Sequence, residues 1–186
     1  MKARRVEGLD PAAQLAANAA RILVVRLAEL RELAPAALHP GRADAQHDLR
    51  IAAKRLRYVL ETTGFAFGAP ADAARRAAKQ LQSVLGDLHD CDVMLPVVAA
   101  HIERLRVEDA AAIRRAAGGE EPPASLSARA PNRERYPELE GLAAYLQARR
   151  ALLFDRFVVH WAQFEADRIW EALLAAIAPE SGSELD

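Results

Sequence analysis

Residues His47 to Tyr58 read His-Asp-Leu-Arg-Ile-Ala-Ala-Lys-Arg-Leu-Arg-Tyr, and they concentrate side chains suited to recognising negative charge. On a helix, His47, Arg50, Lys54 and Arg57 fall within an arc of about 80°. Leu49, Ala53, Leu56 and Leu60 fall on a face more than about 100° away. One side of such a helix is built to bury, while the other carries three fixed cations and one titratable imidazole. Like charges four residues apart destabilise a helix by about 0.2–0.5 kcal/mol per pair. A polyanion with closely spaced charges turns that repulsion into attraction. The plainer reading is a solvated charged face, but this face is nearly single-sign, relieved only at its end by Glu61, four residues after Arg57.

A second segment lies about thirty residues later: Leu81-Gln-Ser-Val-Leu85-Gly86-Asp87-Leu88-His89-Asp90-Cys91-Asp92-Val93. With His47-Asp-Leu-Arg50, Lys54-Arg55-Leu-Arg57-Tyr58 and Glu61, it resembles the CHAD domain (conserved histidine α-helical domain), whose signature includes a Leu-Gly-x-Leu-x-Asp-x-Asp-Val run. The two motifs cover roughly residues 45–95, and the helical pattern extends the resemblance to 10–178. It implies an all-helical domain that binds inorganic polyphosphate along a basic surface or pore, with no catalysis and no cofactor. The primary binding candidates are His47, Arg50, Lys54 and Arg57. Arg55, Arg75, Lys79, Arg149, Arg156 and His160 are secondary. A full family domain carries two repeats around a pseudo-two-fold axis, whereas this chain has one His-x-x-Arg helix. A homodimer is one way to restore the pair; a C-terminal helical region covering the groove alone is the other.

The 186 residues are enough for one domain with a substantial core. Apolar residues make up 52% of the chain, weighted to Ala and Leu, and aromatics only 5%, which favours helices over sheets. The net charge of −1 excludes a generic nucleic-acid sponge, so any polyanion site must arise from local clustering. The cations are almost all arginine, since Lys2, Lys54 and Lys79 are the only lysines, and a guanidinium fork suits phosphate oxygens. A single cysteine, Cys91, rules out an intramolecular disulfide and a thiolate metal cluster. No run approaches the roughly 18 uncharged apolar residues of a membrane span, and no secretory h-region is visible; a cytoplasmic protein without membrane contact is expected.

The elements that must position these residues form an antiparallel bundle of about five or six helices. Residues 1–9 read as an N-terminal tail. Asp10-Pro11 looks like a helix start, and the pattern runs to about Ala34, before Pro35. Asp44 is expected to cap the motif helix, which stops at Thr62-Thr-Gly64. Phe65 and Phe67 are expected to plug the bundle end. From Ala71 a helix is apolar on one face and carries Arg75, Lys79, Gln82 and Gly86 on the other; Gly86 is either a tolerated helical glycine or a close approach. Pro96 ends that helix or kinks it. Residues 118–136 read as a flexible loop. A long C-terminal helical region begins at Pro137, burying Leu142, Leu146, Leu153, Phe157, Trp161 and Phe164 and placing Arg149, Arg156 and His160 beside that stripe. Residues 179–186 read as a C-terminal tail.

Competing chemistries are weaker. His47-Asp48 and His89-Asp90 invite comparison with helical metal-dependent phosphohydrolases, but Arg50, Lys54 and Arg57 oppose a divalent ion there. No metal is expected. Nucleic-acid recognition usually adds stacking aromatics, and only Tyr58 adjoins the stripe. A helical module docking an acidic protein shares the electrostatics and remains the main alternative.

Overall fold

The computed structural model describes residues 2–116 and 122–178. The chain is all-α: α1 (Leu15–Ala37), α2 (Ala43–Thr63), a 3-10 turn (Gly64–Phe67), α3 (Gly68–Ala116), α4 (Pro123–Ser127), α5 (Tyr136–Ala166) and α6 (Ile169–Ile177). No strand occurs among the described residues. None of the described helices is long and apolar enough to cross a membrane. The chain divides into two compact units, one holding residues up to 89 together with those from 153 onward, the other residues 90–152.

The first unit is built on small and branched aliphatic side chains at helical spacing. Ala19, Leu23, Leu27, Leu30, Ala34 and Ala37 of α1 are buried, as are Leu49, Ala52, Ala53, Leu56 and Leu60 of α2. The start of α3 adds Ala71, Ala74, Ala77, Ala78, Leu81, Val84, Leu85 and Leu88. Bulk comes from the C-terminal aromatics. Trp170 of α6 lies 6.1 Å from Trp161 and 6.0 Å from Phe164, ring centre to ring centre, and Trp170 and Phe157 are fully buried. An exposed ion pair, Arg31–Glu171, also links α1 to α6.

The turn between α1 and α2 decides where the motif helix begins. Gln46, in its first turn, is 1% exposed. Its Nε2 donates to the carbonyls of Ala37 at 3.3 Å and His39 at 2.8 Å. The Ala37 carbonyl ends α1, where no further helical N–H reaches it, and the His39 carbonyl in the turn also accepts from the Arg42 N–H at 3.1 Å.

In the second unit, Cys91, Val98, Ile102, Leu105 and Leu146 are buried. Arg150 of α5 donates from Nε to Asp92 of α3. Buried Asp109 accepts from the backbone N–H of Asn132 at 3.0 Å, its Nδ2 at 2.9 Å and the Tyr136 hydroxyl at 2.8 Å. These bonds anchor the segment that leads into α5.

Several boundaries differ from the sequence expectation. Asp10-Pro11 starts a turn, not a helix: Asp10 Oδ1 accepts from the Ala12 N–H at 2.9 Å, and Asn18 bonds the Asp10 backbone through both N–H and carbonyl. A short carboxylate serves a turn as readily as a helix cap, so α1 begins at Leu15. Asp44, expected to cap the motif helix, lies inside the first turn of α2, whose N-cap is Arg42. Residues 2–9, the expected N-terminal tail, bond to α1. The Arg4 N–H donates to buried Glu29, its guanidinium pairs with Glu32, and Arg26 and Arg21 donate to the Arg4 and Gly8 carbonyls.

Pro35 and Pro96 both lie inside helices. Each forfeits one backbone hydrogen bond, but both sit at exposed positions, with Ala34 buried beside Pro35 and Val98 buried two residues after Pro96, so packing outweighs the local loss. The expected loop 118–136 is structured where described: α4 occupies Pro123–Ser127, turns come next, and α5 begins at Tyr136. Residues 118–121 and the expected tail 179–186 lie outside the described residues. Phe65 is 77% exposed and plugs nothing, and Leu142, at 41%, is not part of the buried stripe.

Replacing Gln46 by Ala removes this donor from the Ala37 carbonyl and leaves the His39 carbonyl with the Arg42 N–H. We expect a loss of about 1–3 kcal/mol in unfolding free energy, measured as a lower urea midpoint at unchanged slope.

Candidate functional site

The primary candidates sit together on α2, held there by burial of the opposite side of the same helix. His47, Arg50, Lys54 and Arg57 are all half-buried, while Leu49, Ala53, Leu56 and Leu60 are 0–2% exposed. The seam they line is shared with α3. The His47 and His89 rings lie 4.6 Å apart, centre to centre, tilted by 44°. Arg50 Nε lies 3.6 Å from where a Cβ on Gly86 would stand.

These two contacts set an antiparallel register. From His47 to Arg50, Lys54 and Arg57 the steps are three, four and three residues. From His89 back to Gly86, Gln82 and Lys79 they are the same. Lys54 therefore comes level with Gln82, and Arg57 with Lys79. The α3 residues occupy one helical stripe, with Arg75 one turn further along it.

Local partners tune each group. Tyr58 is 47% exposed and carries both Lys54, 5.7 Å from its ring centre, and Arg57, 4.8 Å away. This geometry attracts each cation to the ring face and offsets part of their mutual repulsion. Arg57 Nε also lies 3.6 Å from Glu61 Oε1, and Arg75 pairs with Asp72 at 3.4 Å. His47 Nδ1, Arg50 Nε and Gln82 Oε1 are buried and bond no protein group. Such atoms carry a desolvation cost that a ligand oxygen or ligand-held proton relieves.

The His47 imidazole is pushed below its ordinary range, first by burial and then by the neighbouring His89 and Arg50, against a smaller opposing pull from Asp48. The neutral ring is thus favoured in the empty site, and an arriving anion reverses the balance.

The secondary candidates separate. Lys79 and Arg75 lie on the α3 side of the seam. Arg55 points about 120° away from the centre of the α2 stripe at helical spacing. His160 of α5 meets α3 at Gln80, Nε2 to Nε2 at 3.4 Å, a position well round α3 from its cationic stripe. Its charged form is disfavoured by burial and then by Arg156. Arg156 is exposed. Arg149 belongs to the other unit, where it donates to the Tyr145 hydroxyl. Sequence reasoning left His89 and Gln82 out of the candidate list. Their signal was the matched three-four-three spacing, which has no meaning until one contact supplies the register. Among the described residues no three His, Cys, Asp or Glu side chains are grouped to hold a metal ion.

Gly86 is the point of close approach. A Cβ there meets Arg50 at ordinary van der Waals distance, so Gly86→Ala should stabilise the protein by about 0.5–1 kcal/mol through helix propensity and leave anion binding intact. Gly86→Leu should displace Arg50 from the seam and weaken binding. Chemical unfolding and a polyanion titration read the two effects.

Comparison with known proteins agrees with the two motifs. No curated protein and no solved structure matches the chain. The CHAD domain family model matches residues 2–99, which include all of α1 and α2 and the α3 segment that forms the seam. That match spans more than half of the 186 residues: the chain belongs to the CHAD domain family.

Proposed function

We propose that this protein binds inorganic polyphosphate, without catalysing a reaction, along the seam between α2 and α3. The observation that carries the reading is the register itself. The His47–His89 ring pair and the approach of Arg50 to Gly86 fix it at one end, and the matched spacing then brings Lys54 level with Gln82 and Arg57 level with Lys79. A linear polyphosphate presents a negative charge at every residue, so it meets cations at successive levels, which a compact anion cannot do. Guanidinium–phosphate hydrogen bonds are charge-assisted and among the stronger polar contacts. Membership of the CHAD family supports the same ligand.

Replacing Arg50, Lys54 and Arg57 together by Ala should lower polyphosphate affinity by about 100-fold or more, at about 1.5–3 kcal/mol per charge-assisted contact. It should also flatten the salt dependence, because fewer counterions are exchanged. The fold should survive, since none of the three is a core residue. A folded triple variant with unchanged affinity would remove this site from consideration. Acidic peptides of equal charge serve as competitors: if they bind as tightly as polyphosphate, the protein is a docking module for acidic partners instead.

The histidine pair predicts a pH dependence of defined sign. His47 is held neutral in the empty site, and phosphate beside it favours the protonated form. Binding should therefore strengthen as pH falls from about 8 to 6. His47→Gln should abolish most of the gain, and identical profiles for the two proteins would exclude direct contact. Because polyphosphate ends titrate too, the comparison between the proteins is the readout.

A further inference from the structure

The cationic seam has a definite end. The α2 stripe continues past Arg57 to Glu61, one turn on and on the same face. There the sign reverses, and the Glu61 carboxylate turns back toward Arg57, Oε1 to Nε at 3.6 Å. On the α3 wall the sign changes one turn further on, at Asp72. Arg75 stands opposite Glu61 in the shared register and is engaged by Asp72, 3.4 Å away. An acidic group on each helix, Glu61 and then Asp72, thus follows the basic side chains of the seam.

We propose that Glu61 is an end stop that sets how much of a linear polyphosphate this site engages. The inference rests on the polyphosphate reading above. From His47 to Arg57 is ten residues, or about 15 Å along the helix. Neighbouring phosphorus atoms of a linear polyphosphate lie about two helical rises apart, about 3 Å. The track therefore matches a run of about six phosphates. A longer chain must leave the seam at Glu61, because continuing places its next phosphates against a carboxylate. Glu61 also competes with the ligand for Arg57, so that cation is held in position when the site is empty. A glutamine keeps the shape and removes the charge, extending the usable track by about one helical turn, or two phosphates.

The test is a titration with linear polyphosphates of about three, six, nine and twelve residues, using wild type, Glu61→Gln and Glu61→Lys, with thermal unfolding as the control for fold. For the wild type, affinity should rise steeply up to about six phosphates and then level off, apart from the small gain from having more places to bind on a longer chain. In Glu61→Gln the levelling point should move to about eight, so that affinity still rises from six to nine phosphates, with a gain of about tenfold for the longer chains and a smaller gain for six. Glu61→Lys should move it likewise, with a larger gain. Wild-type affinity that climbs without levelling, or variants that level at the wild-type length, overturn the end stop while leaving polyphosphate binding in place. Failure of every length to bind overturns the polyphosphate reading and this inference with it.

Discussion

The cations of α2 stand together because the opposite face of that helix is buried. A helix cannot rotate to separate its charges once Leu49, Ala53, Leu56 and Leu60 are committed to a core. Burying a leucine side chain is worth about 1.5–3 kcal/mol, several times the cost of a like-charge pair four residues apart. The apolar face therefore wins, and the cationic stripe is held in an arrangement it would not choose on electrostatic grounds. That imposed proximity is what the proposed binding of closely spaced negative charge draws on.

The remaining strain is distributed among neighbours, not removed. Tyr58 offers its ring to two of the cations, Glu61 holds a third partial contact with Arg57, and His47 avoids adding charge by staying neutral. None of these is a buried, fully satisfied ion pair of the kind that would consume the cations permanently. Arg150 and Asp92 in the second unit show the contrast: both are largely buried and directly bonded, so that pair is structural. The difference between a cation available to a ligand and one spent on the fold lies in such partners, not in residue type.

Gly86 connects the backbone to the chemistry. A helix interior usually disfavours glycine by about 1 kcal/mol relative to alanine, and here the missing side chain leaves room for the Arg50 guanidinium beside α3. The His47–His89 ring pair lies one turn away on the same seam. The His-x-x-Arg and Leu-Gly-x-Leu-His segments, far apart in the chain, are thus two walls of one surface.

Much of this was legible in the sequence, for identifiable reasons. Helical class came from Ala and Leu at 3.6-residue spacing, and the α2 stripe from periodicity alone, because both are local properties of one helix. The two motifs were enough to mark the family. What periodicity could not supply was register: His89 and Gln82 join the seam only because α2 and α3 meet at one longitudinal offset, which side-chain packing between distant segments sets. The same limit explains the departures at Asp10-Pro11 and Pro35, where local signals for starting or stopping a helix were outweighed by hydrogen bonds to Asn18 or by burial of neighbouring residues. Arg55 and His160 carry the right chemistry for the site yet point elsewhere, because a side chain's charge is written in the sequence while the surface it faces is decided by the packing of helices.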